Sequence, residues 1–169
     1  MPMKIPVFVS CPTSLNTEQE KSRKIILKEL SKVNLEPRAL GRSDYPTELP
    51  LREVYLLAKH CSGGVILGFE QFRSENGKLK VGTKEEKTIK STTSFPTPWN
   101  QLEAGILYSL NLPLLVFKEK TISGGVFDNG VTDVFVHLIP AGIITKEMKQ
   151  ALTAVFQKWQ ASVRTHYYR

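Results

Sequence analysis

The sequence has few of the residues and patterns that mark export, metal binding or a membrane. It contains two cysteines, Cys11 and Cys61, and three histidines, whose spacings match no metal-binding motif. No apolar run approaches the ~20 residues of a membrane-spanning helix, and the first residues lack the apolar core of a signal peptide. We therefore expect a cytoplasmic protein with reduced thiols, no metal and no membrane contact.

Common nucleotide-binding and catalytic motifs and dense basic runs are also missing. The chain has no GxGxxG, no Walker loop, no HExxH and no Gly-x-Ser-x-Gly. Its net charge of +7 would suit an anionic ligand such as a nucleotide, and solubility alone is the alternative reason for that charge. Because no basic run is dense, we do not expect nucleic-acid binding.

Strand-like and helix-like patterns alternate along the chain. A hydrophobic content of 41% over 169 residues suits a single domain, 1–169, with a real core. Strands are predicted at 4–10, 35–40, 63–69, 112–117 and 131–138, and helices at 17–33, 51–60, from 97 onward and at 145–163. This order predicts an α/β fold: a flavodoxin-like three-layer αβα sandwich whose five-stranded, mainly parallel sheet has the order 2-1-3-4-5.

Thr17 is the predicted cap of the first helix, in a capping box with Glu20. The residues predicted to face inward on the last helix are Met148, Leu152, Val155, Phe156 and Trp159.

One stretch, 70–97, interrupts this alternation. It is polar, mixed in charge and rich in lysine, serine and threonine. Segments of this length are usually lids, small hairpins or disordered loops. We predict an inserted loop or lid, within which 78–81 and 87–90 would pair as a hairpin.

Glu103 is the most informative residue, because it lies in or beside the apolar face of a predicted helix. Thr97 suits the N-cap of that helix and Pro98 its first position. The predicted buried face contains Trp99, Leu102, Ile106, Leu107 and Leu110. A carboxylate there is costly unless it is paired or functional. The simpler interpretation is an edge glutamate that reaches water or an arginine.

Gly105 lies two residues beyond this glutamate. Glycine inside a helix costs ~1 kcal/mol relative to alanine, so the close approach of another backbone or a ligand would explain it.

Ligands of such sheets bind at the carboxyl ends of the strands. Five segments would meet there: 10–13, 41–46, 68–71, the start of the Glu103 helix, and 124–130. The alternative for each segment is a simple turn made by its glycine or aspartate. The candidate binding residues in or beside these segments are Phe8, Ser10, Cys11, Arg42, Ser43, Asp44, Gly68, Phe69, Trp99, Asn100, Asp128 and Asn129. Cys11 is also considered as a reactive thiol, although no histidine is evidently near it.

Two short motifs resemble known families. The segment 103–114, Glu-Ala-Gly-Ile-Leu-Tyr-Ser-Leu-Asn-Leu-Pro-Leu, resembles the Glu-x-Gly helix and following strand of nucleoside 2-deoxyribosyltransferase-like proteins. The segment 98–103, Pro-Trp-Asn-Gln-Leu-Glu, is similar to the Ser-x-Trp-Cys-x-x-Glu helix start of Toll/interleukin receptor (TIR) domains, with Asn100 in place of the cysteine. The strand 4–10 also resembles the first TIR strand.

The resemblance implies that Glu103 acts on the anomeric carbon of a ribosyl group. Cleavage of NAD at the nicotinamide–ribose bond is then the expected activity, with NAD as substrate and no cofactor. Bacterial TIR-like proteins of this kind often act in antiphage defence, as homo-oligomers or with an effector or sensor partner. Deoxyribosyl transfer between bases, and a TIR-like assembly or sensing module without turnover, are the alternatives.

The same hypothesis assigns roles to the other candidates. Four side chains would wall the ring and ribose pocket, namely Phe8, Ser10, Phe69 and Trp99. Arg42 would meet a phosphate, unless it is only a solvated surface residue. Asp128 and Asn129 would bind ribose hydroxyls.

Overall fold

The chain forms nine strands and four helices in the computed structural model, which describes residues 3–44 and 47–169. The strands are β1 Ile5–Ser10, β2 Leu35–Arg38, β3 Gly64–Gly68, β4 Phe72–Ser74, β5 Gly77–Leu79, β6 Lys87–Ile89, β7 Thr93–Phe95, β8 Leu114–Lys118 and β9 Val136–Leu138. The helices are α1 Thr17–Lys32, α2 Pro50–Lys59, α3 Pro98–Ser109 and α4 Lys146–Tyr167, with a short 3₁₀ turn at Gly125–Phe127.

Five strands form one parallel sheet in the order β2-β1-β3-β8-β9. The predicted α/β fold with a five-stranded parallel sheet is thus confirmed. Numbered along the whole chain, the order is 2-1-3-8-9 rather than 2-1-3-4-5, because the four short strands β4–β7 precede β8 and pair outside this sheet. β2 and β3 lie on opposite sides of β1, so the strand order reverses there.

Alternation along the strands builds two apolar layers. Val7 and Val65 face one side of the sheet, where α1 and α4 cover them with Ile26 and Phe156. Phe8, Ile66 and Val116 face the other side, where α2 and α3 cover them with Val54, Ala104 and Leu107. Because both faces are buried, the central strands are nearly continuous apolar runs, as expected of a parallel sheet.

The helix starts follow from local capping. Thr97 accepts a hydrogen bond from the Asn100 N–H, which confirms it as the N-cap of α3, with Pro98 in the first position. The predicted Thr17 cap of α1 is wrong. Asn16 caps this helix instead, in a capping box with Gln19. An asparagine amide accepts the same N–H bonds as threonine, so sequence alone left the start one residue uncertain.

Two predicted apolar faces are placed differently. The buried residues of α3 are Asn100, Ala104 and Leu107, whereas Trp99 and Leu102 are exposed. The first turn of α3 lies at the carboxyl ends of β1 and β3, where its outward-facing apolar residues are exposed. In α4, Phe156 and Trp159 are buried as predicted, but Met148 is exposed near the helix start.

The predicted insertion forms two short antiparallel ribbons rather than an irregular loop. β4 pairs with β7, and nested between them β5 pairs with β6. The second ribbon confirms the predicted hairpin, with 77–79 opposite 87–89. We call 70–96 the arm; its action as a lid stays a prediction.

Other segments differ from expectation in smaller ways. The fifth strand of the main sheet covers only Val136–Leu138 of the predicted 131–138. Of the loop 41–46, Tyr45 and Pro46 lie outside the described residues. Among the described helices, none combines the length and the apolar character required to cross a membrane.

Gly68, at the end of β3, is required by close packing. A Cβ built there would lie 2.8 Å from Cζ of Phe127, a fully buried ring. We expect Gly68→Ala to lower the free energy of unfolding by about 2 kcal/mol, since overpacking a rigid core typically costs 1–3 kcal/mol.

Gly105→Ala is the matched control, measured in the same urea titration. Gly105 lies within α3, and an added Cβ would meet no described atom beyond its neighbours and its own helix backbone within 4 Å. This substitution should raise the free energy of unfolding by about 0.5–1 kcal/mol. Equal effects of the two substitutions would contradict the packing argument.

Candidate functional site: a pocket at the strand-order reversal

A pocket of about 260 Å³ opens at the carboxyl ends of β1 and β2. The loops after these strands form one wall, and the first turns of α2 and α3 form the other. Its lining residues are Cys11, Pro12, Thr13, Leu40, Gly41, Pro50, Val54, Thr97, Trp99, Asn100 and Glu103. Because the strand order reverses at β1, this is where open α/β sheets bind their ligands.

Glu103 lines this pocket from the second turn of α3. Burial raises the pKa of its carboxyl group from 4.5 to about 7, and a hydrogen bond from Ser10 opposes that rise. No cation among the described residues contributes to this balance. The simpler interpretation of an arginine-paired glutamate is therefore wrong. The carboxyl group titrates near neutral pH, which is typical of acids, bases and nucleophiles in active sites.

Asn100 links α3 to two strands. Its side-chain amide donates to Ser10 Oγ at 2.9 Å and to the Leu67 carbonyl at 3.3 Å. Thr97 Oγ1 donates to Asn100 Oδ1 at 3.1 Å. Both Ser10 and Asn100 are almost completely buried. The two predicted residues therefore belong to the site, Ser10 as a partner of Glu103 and Asn100 as part of the pocket wall.

Trp99 and Cys11 also line the pocket, as predicted. The Trp99 side chain is 43% exposed, so one part of the indole is free to meet a ligand. Burial raises the pKa of the Cys11 thiol to about 12 despite the positive charge of Arg42 nearby. Cys11 is thus a neutral wall residue at physiological pH, which argues against the reactive-thiol interpretation.

Three predicted pocket residues lie in the core instead. Phe8 is fully buried between the sheet and the α2–α3 layer, and Phe69 is fully buried on the α1–α4 side. Gly68 packs against Phe127. These residues do lie near strand ends, as predicted. The alternation of side chains along the chain turns Phe8 and Phe69 into the core rather than into the pocket.

Arg42, Ser43 and Asp44 do not line the pocket but support its wall. Arg42 Nη2 donates to the carbonyl groups of Pro12 and Thr13 at 2.9 and 3.1 Å, which holds the loop after β1. Ser43 Oγ donates to Asp44 Oδ2 at 2.7 Å. Asp44 is also paired with Arg38, which holds the pKa of its carboxyl group below the usual range. These contacts give Arg42 a structural role, and its contact with a phosphate stays a prediction.

Asp128 and Asn129 are likewise separate from the pocket. Both are exposed, and Asp128 Oδ1 accepts from the Gly124 N–H at 2.8 Å to close its own turn. The segment 124–126 is joined to α3 by Gln101, which accepts from Val126 and donates to Gly124. Their expected contacts with ribose hydroxyls have no geometric support in the described structure.

Sequence reasoning missed several residues of the pocket wall. Pro12 and Thr13 lay inside a predicted loop segment but were not singled out, and neither were Leu40, Pro50 and Val54. A signal existed for α2, because Pro50 marks its first position and Val54 follows one turn later. The loop after β2 gave no comparable signal.

No model of a known protein family matches the chain, and no curated protein is significantly similar to it in sequence. The resemblance to deoxyribosyltransferase-like and TIR proteins therefore rests on the short motifs around Glu103, and it stays a prediction.

Replacing Glu103 should reveal the cost of burying its charge. The folded pKa of about 7 exceeds the 4.5 of an unperturbed glutamate, so ionisation destabilises the fold. The penalty is absent below pH 4.5, grows between pH 4.5 and 7, and is complete above pH 7. We expect Glu103→Gln to raise the free energy of unfolding by on the order of 2 kcal/mol at pH 8 and by little at pH 4, measured by urea denaturation. A pH-independent difference would contradict this.

The Cys11 thiol should be slow to alkylate even though it lines the pocket. Its pKa of about 12, against 9.0 for an unperturbed thiol, leaves very little thiolate at pH 8. We expect the protein to react with iodoacetamide on the order of 100-fold more slowly than a free thiol, followed by mass spectrometry. Cys11→Ser identifies which modification belongs to this residue, and rapid labelling of Cys11 would restore the nucleophile hypothesis.

Proposed function

We propose that the protein cleaves the N-glycosidic bond of a nucleotide, with NAD as the substrate and the nicotinamide–ribose bond as the site of cleavage. The observation that carries this proposal is the Glu103 carboxyl group, which lines the pocket at the strand-order reversal with a pKa of about 7. A half-buried carboxylate without a cationic partner is costly, and stabilising a cation that forms during a reaction is one reason to keep it.

The chemistry needs one carboxylate. When the bond between C1′ and the nicotinamide nitrogen breaks, its electron pair moves to the ring and neutralises the pyridinium charge. The resulting oxocarbenium-like ribosyl group is stabilised or trapped by ionised Glu103. Water then bonds to C1′ and releases a proton, which gives ADP-ribose and nicotinamide.

The proposed reaction needs no second acid, and the described lining of the pocket supplies none that is ionised or acidic at neutral pH besides Glu103. Cys11 and Glu103 are the titratable side chains among the described lining residues, and Cys11 stays protonated because of its high pKa. Nicotinamide leaves as a neutral molecule, so it needs no proton. The exposed indole of Trp99 offers a flat aromatic surface to the cationic ring of the bound substrate.

The pocket volume limits how much of the substrate it encloses. About 260 Å³ lies just below the ~300–1,000 Å³ of typical small-molecule sites, so a nucleoside-sized fragment fits better than a dinucleotide. None of the described lining residues is a lysine or arginine. We place nicotinamide and its ribose inside, with the phosphates and the adenosine half outside.

The same two features favour deoxyribosyl transfer as the second candidate. A neutral deoxynucleoside has the size of the pocket and needs no phosphate-binding cation. Glu103 would then trap the deoxyribosyl group until another base attacks C1′. The expected self-association and any effector or sensor partner stay predictions for either activity.

Glu103→Gln should abolish turnover of NAD. Removing the charge that stabilises the transition state should lower kcat/KM at least about 100-fold. Nicotinamide release is measured by liquid chromatography on purified protein at several protein concentrations, which allows for self-association. Glu75→Gln, a matched change at an exposed glutamate of the arm, should leave the rate unchanged.

The outcomes separate the candidate functions. NAD left intact by the wild-type protein at every concentration, together with base exchange on a deoxynucleoside, would replace the first candidate with the second. A ligand bound equally well by wild type and Glu103→Gln, with no turnover of either substrate, would indicate a binding module.

The rate should also depend on pH in a defined direction. Since the ionised carboxylate is the active form, kcat/KM should rise with pH, reach half its maximum near pH 7 and stay high above it. A rate that falls as pH rises through 7 would mean that Glu103 acts as an acid.

A further inference from the structure

The five-stranded sheet has two edges, and their residues differ. β2 forms one edge with the sequence Leu-Glu-Pro-Arg, in which a proline and two charged residues discourage pairing with another chain. β9 forms the other edge with the sequence Val-His-Leu. From 134 to 145 the chain contains no Asp, Glu, Lys or Arg. The β9 edge, Val136–Leu138, therefore lacks the charges that usually protect an exposed strand.

Large apolar side chains along this segment are exposed. Phe135 is 79% exposed, Leu138 is 61% exposed and Ile143 is 91% exposed. A group of exposed apolar side chains in one place usually marks a surface that meets another protein, whereas single ones do not.

The β9 backbone also has hydrogen-bonding groups that face outward. β9 is parallel to β8, and the Ile139 N–H donates to the Lys118 carbonyl at 2.8 Å. Backbone groups of successive strand residues point to alternate sides, so those of His137 and Ile139 face β8. The N–H and C=O groups of Val136 and Leu138 face away from the sheet, and they have no hydrogen-bond partner among the described residues.

We infer that two copies of this chain pair through their β9 edges as antiparallel strands about a twofold axis, with His137 opposite His137 of the second copy. In this register Val136 lies opposite Leu138 of the second copy, and each such pair exchanges two hydrogen bonds. Every outward backbone group of β9 then has a partner, and the two sheets become one continuous sheet. This pairing does not depend on the proposed function.

The side chains that meet in this register are mostly apolar. Val136 packs on the α2–α3 side of the sheet, and alternation places Leu138 on that side too. Phe135 lies on the α4 side with His137, its ring 6.2 Å from the imidazole, and would face Ile139 of the second copy. Cross-strand pairs of aromatic and aliphatic residues stabilise antiparallel strands.

The distribution of charge favours a second copy as the partner. The chain has a net charge of +7, so two copies repel each other in most orientations. Two β9 edges meet with no like charges directly opposite, because 134–145 is uncharged. Pro140 has no N–H to donate, which limits the pairing to a short strand, so the dimer should dissociate on dilution.

Sedimentation velocity of the purified protein at increasing concentration tests the dimer. We expect a reversible monomer–dimer equilibrium without larger species, because a twofold pairing occupies both β9 edges. Leu138→Lys puts a charge beside the axis and should raise the dissociation constant at least about 10-fold. Val81→Lys, the same kind of change at a similarly exposed residue of the arm, should leave the dissociation constant unchanged.

Two results would overturn the inference. A monomer at every concentration would leave the edge to a strand of a different protein. A dimer that Leu138→Lys does not weaken would mean that the copies meet through another surface. Because Leu138 is already exposed, lysine at this position should fold normally, which circular dichroism checks.

Cysteine cross-linking tests the register. His137→Cys places two thiols in a pair without hydrogen bonds, whose Cα atoms lie about 4.5 Å apart, within the ~4.4–6.8 Å of disulfides. Oxidised glutathione should therefore convert this variant into a disulfide-linked dimer.

Leu138→Cys is the matched control for the register. Its two thiols would lie diagonally across the axis, about 7–8 Å apart, and should cross-link much more slowly. The wild-type thiols, Cys11 and Cys61, have pKa values of about 12 and should stay unlinked. Faster cross-linking of Leu138→Cys than of His137→Cys would overturn the proposed register. Neither experiment uses a substrate, so failure of the dimer and failure of the proposed function are separate results.

Discussion

The side-chain amide of Asn100 is the contact on which the arrangement of the pocket depends. Through it, the first turn of α3 is bonded to the end of β1 and to the β3 backbone. Trp99, Thr97 and Glu103 share that turn or the next, so their positions are fixed by the same contact. A buried amide whose two N–H groups and oxygen are all hydrogen-bonded gives a defined geometry that apolar packing alone would not.

The energetic consequence is a local conflict between stability and charge. The sheet provides two extensive apolar layers, and α3 places a carboxyl group at the boundary of one of them. One hydrogen bond from Ser10 compensates only part of the lost hydration. Active sites commonly retain such conflicts, because the group that lowers the stability of the fold is the one that the function requires.

Much of the fold was predictable because the patterns that mark strands and helix starts are local in the sequence. Apolar runs identified the central strands, and Thr97-Pro98 identified the start of α3. The wall of the pocket was harder to predict, because Leu40 and Val54 come from different elements and meet only in the folded chain. Glu103 could be singled out from the sequence, because a carboxylate in or beside an apolar helix face is visible within a single helix.

Other site residues were misjudged for identifiable reasons. Phe8 and Phe69 are close to strand ends, but the pleat turns both rings into the core. The structural contacts of Arg42 could not be predicted, because its acceptors are the backbone carbonyl groups of Pro12 and Thr13, which carry no sequence signal. Trp99 was predicted on the buried face of α3, yet it is partly exposed at the pocket, where the first turn of α3 lies at the carboxyl ends of β1 and β3.

The base of the arm is fastened to the domain by side chains from two distant elements. Gln19 of α1 donates to the Glu70 carbonyl at 3.1 Å, and Glu119 after β8 accepts the Glu70 N–H at 2.5 Å. Beyond this attachment, 77–88 is exposed throughout. Changes in the length or composition of this outer ribbon would cost the core almost nothing. The arm is therefore a place where the protein can diversify over evolution while its interior stays constant.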